Sequence, residues 1–302
     1  MSTLLDAVVG WTLFAALVAA IGAILGHGWI AVRAAPTDSA ERCAVRVAAA
    51  RGATAAGVAL PIAFLLYFVR QLVEFRDPFA PLSEDVSMLI GTPWGELWLV
   101  ATAAAVAAAI ALVRATPERT GAWFAAAATV TALASFPALT GHAAGESEWR
   151  TLAIAADTVH VLAAGGWMGG LAVVLYAEFL WTRSAHDGEP GSLLPRTVPV
   201  FSPLAILCVA LLVITGTFAS WLHLTTLSEL VATTYGRTLS LKLALVAVVL
   251  ALGALNWRRL TPRLGTSDGD AALRRAAAIE LLVAQLVLFV TAVLVRTDPS
   301  QM

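Results

Sequence analysis

Eight stretches of the chain stay apolar for the ~20 residues that a helix needs to cross a bilayer. They are 7–32, 47–70, 94–114, 121–141, 152–181, 199–224, 237–258 and 275–296. Between them lie segments rich in Pro, Gly, Ser, Thr and charge, such as "ATPERT", "GESEWR" and "RSAHDGEPGSLLPRT", which read as loops. The pattern predicts an all-α, polytopic transmembrane helix bundle of about eight spans. "TPWGEL" opens the third span and "TTYGRTL" the seventh, a faint repeat that fits two parallel four-helix halves, 1–141 and 142–302.

Composition sharpens this picture. The chain is 59% hydrophobic and 13% charged, against about 25% charged in soluble proteins, which excludes a soluble multidomain protein. A net charge of −1, with basic residues spread over many loops, gives no electrostatic footprint for nucleic acid. Cys43 and Cys208 cannot build a disulfide framework or a CxxC metal site. No G-x-x-x-x-G-K-[ST] loop occurs, so no nucleotide is expected to drive the protein. The opening "MSTLLDAVVGW" has no basic residue before its apolar run and no clear cleavage site, so the first span is expected to stay in the mature protein.

Basic residues orient the bundle. Of nineteen, thirteen fall in the loops that follow the first, third, fifth and seventh spans; the other six are Arg70, Arg76, Arg150, Arg237, Lys242 and Arg296. Basic loops stay in the cytoplasm, so both termini are predicted outside it, in a cytoplasmic (inner) membrane. Trp11, Trp94, Trp98, Trp149 and Trp221 then mark the outer interface and Trp29, Trp123, Trp181 and Trp257 the inner one. Trp167 alone stays mid-span.

Ionisable residues inside spans are costly and point to function. Asp157 and His160 lie three apart in the fifth span, on one helix face. His142 ends the fourth span and His223 the sixth, so three histidines and Asp157 fall in the outer third of the membrane. Met168 and Cys208 lie deeper, at about one level, and His27 sits near the inner end of the first span. Neutral imidazole binds Cu, Zn, Fe and Ni, a carboxylate can orient the ring, and thioether or thiolate favours Cu(I). A metal path from His142, Asp157, His160 and His223 through Met168 and Cys208 to His27 is one reading. The other is structural: a buried pair pinning two helices, interfacial histidines, and Met168 and Cys208 as core filler. His186 is expected to be a solvated loop residue. Lys242 is expected to reach outward, and Glu280 to meet Arg258, Arg259 or Arg274.

"GHAAG…ADTVHVLAAGGWMGGL", "FSPLAILCVALLVITGTFASW", "TTYGRTLSLKLALVAVVLALGALNWRRLTPRL" and "LRRAAAIELL" together resemble the copper resistance protein D (CopD) family. The ordered signals are GHA, D-x-x-H with W-x-G-G-L, F-S then T-G, Y-G-x-x-L-x-x-K, N-x-x-x-L and a final helix with Glu; the first half matches only in having four spans. The resemblance implies an inner-membrane protein that handles copper ion, and no catalysis is expected of it. It also implies work with a small periplasmic or extracellular copper-binding protein, here a separate one because no such domain is fused. By resemblance, His142, Asp157 and His160 fall on positions associated with metal. Copper transport across the membrane is the reading, with uptake preferred to export. The rivals are a membrane b-type cytochrome, which needs two histidines on facing helices at one level, and an accessory subunit that docks a partner through its acidic second loop.

Overall fold

The computed structural model of the chain describes residues 3–37, 39–184, 191–224, 226 and 228–297, with the backbone alone at Thr3, His142 and His223. His186 lies outside the described residues. All eight predicted spans are helices: Leu4–Ala34, Ala40–Phe75, Pro93–Val113, Thr120–Thr140, Arg150–Ser184, Leu194–Leu222, Thr234–Arg263 and Ser267–Leu294. The protein is a multi-pass membrane protein.

Several helices outrun their apolar cores. The second starts at Ala40 and the eighth at Ser267, seven and eight residues before their apolar runs. "AERCAVR" and "SDGDAALR" are polar but helix-permissive, and each is capped: Ser39 Oγ accepts the Arg42 N–H (3.2 Å) and Thr266 Oγ1 the Gly269 N–H (3.1 Å). At the opposite end of the first span the Arg42 guanidinium donates to the Ala31 carbonyl (3.0 Å) and to that of Val32, which serves the orphan acceptors of a helix terminus.

The Thr-x-x-Gly start recurs. Thr92 accepts the Gly95 N–H (3.1 Å) at the third span and Thr233 the Gly236 N–H (2.9 Å) at the seventh. A side chain at Gly95, Gly236 or Gly269 would run into the carbonyl of Leu89, Glu229 or Arg263, because the preceding segment folds back over the helix end. The likeness of "TPWGEL" and "TTYGRTL" thus has a local cause, a shared N-cap, and the eighth span uses it too.

The first span is central. It packs against the second, fourth, fifth and eighth, and at its far end touches the sixth. Small residues allow this: Gly22 meets Gly169 of the fifth span backbone to backbone, Gly165 rests on Ile21 and Gly10 on Ala292. Trp11 Nε1 donates to Gln285 of the eighth span (3.2 Å), and Trp98 Nε1 to the Phe64 carbonyl (3.1 Å). Three spans widen locally into π-helix: Gly26–Ile30, Gly165–Gly169 and Asn256–Leu260.

Charged side chains close the bundle at both ends. On the face that bears the termini, Arg70 pairs with Asp6 (3.0 Å) and Glu74, and Arg76 with the buried Asp85 (3.0 Å). On the opposite face the buried Glu178 accepts from the Leu193 N–H (2.7 Å) and Arg274 Nη1 (3.0 Å), which ties the fifth, sixth and eighth spans together. Glu178→Ala strands the buried Leu193 N–H, a loss of about 1–3 kcal/mol. A lowered melting temperature in detergent is expected, with Glu178→Gln retaining part of it; an unchanged melt would mean this tie carries no weight.

Candidate metal centre

Asp157 and His160 share one face of the helix Arg150–Ala164, and both are half-buried. At ~1.5 Å per residue, His160 lies about 15 Å along the helix from Arg150. The ring is held from the sixth span: His160 Nδ1 lies 2.8 Å from Thr215 Oγ1. Thr215 has one proton, which goes to the Leu211 carbonyl at 2.7 Å. The hydroxyl therefore accepts, and the neutral ring carries its proton on Nδ1 and its lone pair on Nε2. Gly216, next in sequence, stands against the same ring at Cε1. A nitrogen oriented in this way is how proteins prepare a metal-ligating imidazole.

The seventh span completes the surroundings. The Lys242 ammonium is within electrostatic reach of Asp157 and His160, and Tyr235 of Asp157. Lys242 therefore turns toward the fifth span and does not simply reach outward. Thr215, Tyr235 and Lys242 were absent from the sequence-derived site, although each sits in a quoted motif: T-G and Y-G-x-x-L-x-x-K.

The other candidates are placed as follows. His142 opens the turn His142–Gly145 and His223 closes the helix Leu194–His223, so both backbones lie toward the termini-bearing face; their side chains are outside the described part. Met168 and Cys208 are buried, with Cys208 Sγ against Gly166 in the π-helical turn that also carries Met168. His27 stands apart from Asp157 and His160. It is stacked on Trp123 at 4.2 Å between ring centroids, and its buried Nδ1 has no partner. Trp123 is thus at the expected end of its span but turned inward. Among the described residues no three His, Cys, Asp or Glu side chains come together.

Glu280 departs from the expected pairing with arginine. It accepts from Asn256 Nδ2 of the seventh span (2.9 Å) and lies within reach of the Trp167 indole of the fifth, while Arg274 is taken by Glu178. Side-chain direction around a helix decides this, and loop position does not carry that information.

Residues 1–152 match the family model described as copper resistance protein D-like, N-terminal domain, and residues 195–294 the one described as copper resistance protein D. Among curated proteins, copper transport protein CutJ of Bacillus subtilis (strain 168) is 30% identical over 174 residues, 56% of this chain and 31% of CutJ. The chain thus spans about a third of that relative. Copper resistance protein D of Pseudomonas syringae pv. tomato is 27% identical over 255 residues, 81% of each chain. No solved structure gives a significant match.

Proposed function

The chain belongs to the copper resistance protein D family, and on that premise we propose that it carries copper across the cytoplasmic membrane, taking the ion at the Asp157–His160 face. The observation that supports this most directly is the Thr215 hydroxyl holding His160 Nδ1–H, which leaves Nε2 as the donor nitrogen. Asp157, three residues away, supplies negative charge for a cation. Lys242 is a tethered cation beside the same carboxylate, so an arriving ion competes with it.

Copper enters from the termini-bearing face, which the basic loops assign to the outside. His142 and His223, whose backbones lie toward that face, add donors on the way in. Met168 and Cys208 offer soft sulfur at mid-depth, and His27 lies toward the far end of the first span, so the direction is uptake. A copper-binding protein domain outside the cell membrane delivers the ion.

The test is elemental analysis of copper, iron and zinc in purified, detergent-solubilised protein after copper loading and desalting. About one or more copper ions per chain is the expected result. Iron with a Soret band would replace this reading with a b-type cytochrome. No retained metal would favour a docking subunit that engages its partner through the acidic loop around Glu84 and Asp85.

A further inference from the structure

Glu280 is among the buried ionisable groups that the copper path does not use. It is 8% exposed and lies midway along the helix Ser267–Leu294, but five residues past the start of its apolar run at 275, so about 7–8 Å of apolar helix separates it from the face opposite the termini. A carboxylate buried there without a cation is costly, and among the described residues no cation pairs with it. The eighth span packs against the first, fifth and seventh. On the seventh, Lys242 interacts with Asp157, and Arg258 and Arg259 are exposed. On the fifth, Glu178 is held by Arg274, and Asp157 and His160 share the surroundings of Lys242 and Thr215. On the first, Asp6 pairs with Arg70 and His27 stacks on Trp123. On the eighth itself, Asp270 accepts from the Gly265 N–H, Arg275 donates to the Ala271 carbonyl, and Arg296 lies over Tyr67. Among the described residues none forms an ion pair with Glu280.

What surrounds Glu280 instead suits a carboxyl group that gains and loses a proton. Asn256 Nδ2 donates to Oε2 in either state. Oε1 faces Gly253 of the seventh span. The Trp167 indole can donate when the group is charged. Both neighbours sit in π-helical turns, Asn256 in Asn256–Leu260 and Trp167 in Gly165–Gly169. Such turns are frequent at functional sites. The Trp167 turn also holds Met168 and meets Cys208 Sγ through Gly166.

We propose that Glu280 is a proton-binding site in the third of the membrane opposite the termini, linked through Trp167 and its π-helical turn to passage of the ion by Met168 and Cys208. The linkage half rests on the copper-transport reading; the proton site does not. The step is one proton per carboxyl: Glu280–COOH releases H⁺ to water, and the carboxylate left behind keeps the Asn256 bond and recruits the Trp167 N–H. A proton gradient across the membrane then biases copper movement.

Two measurements test it. Infrared difference spectra of the protein in lipid nanodiscs, taken across a pH series, should show a protonated-carboxyl C=O band that titrates in the wild type and is missing in Glu280→Gln. Absence of that band in the wild type would overturn the proton site without any reference to copper. In proteoliposomes, copper flux should rise or fall several-fold with an imposed pH gradient in the wild type and lose that dependence in Glu280→Gln. Wild-type flux indifferent to the gradient would overturn the linkage. No wild-type flux at all would overturn copper transport and the linkage with it, while the infrared band would still decide the proton site.

Discussion

His160→Ala is expected to bring retained copper down to the background of an empty detergent sample, with the protein still monodisperse and helical. The replaced ring sits at the junction of three spans but is half-buried and bonded only at Nδ1 among the described contacts, so the fold should tolerate its loss. Thr215→Val separates positioning from ligation. It keeps shape and His160 but removes the acceptor that fixes the tautomer. Loss of such an outer partner weakens metal binding about 10–100-fold, or about 1.4–2.7 kcal/mol. Thr215→Ser should restore most of it, which a purely packing role would not do. Copper titration with a competing chelator reads both variants. Full copper retention in His160→Ala would remove the proposed entry site.

Gly169→Val should prevent assembly of a stable bundle. A Cβ there collides with the Val18 carbonyl and the Gly22 backbone of the first span. Backbone cannot step aside by changing rotamer, so the cost should exceed the ~1–3 kcal/mol of ordinary overpacking. Against a total stability of about 5–15 kcal/mol for typical proteins, that is enough to lose most folded material. The first span contacts five others, so forcing it away from the fifth also disturbs its remaining neighbours. Yield of monodisperse protein and resistance to protease in the membrane are the measurements. Gly121→Val, at a glycine with open space around it, is the matched control. Equal yields from both variants would mean the glycine contact does not limit packing.

The spans were legible because apolar length is a property of consecutive residues, and the interior of a bilayer admits few alternatives. Their ends were less so. "AERCAVR" and "SDGDAALR" are polar enough to read as loop, yet nothing in them breaks a helix, and Ser39 and Thr266 cap them. Asp157 and His160 were recognisable as neighbours from their spacing alone. Thr215 was not, since a threonine in an apolar helix normally bonds back to its own turn; only the rotation of the sixth span against the fifth presents its oxygen to His160. Rotation also explains Glu280: its partners Asn256 and Trp167 come from two other spans, and a linear reading offered the arginines of the nearby loop instead. His142 and His223 remain placed by backbone alone, toward the end where the chain pattern put them.

The seventh span has a mechanical consequence. Its principal neighbour is the eighth, and only 11% of its most apolar window is buried inside the protein. It nevertheless carries Lys242, beside Asp157, and Asn256, on Glu280, with 14 residues or about 21 Å of helix between them. A rod clamped along one side is the element that moves at least cost, and this one grips the bundle at two polar points. A tilt of this span would change its contacts with Asp157 and Glu280 together.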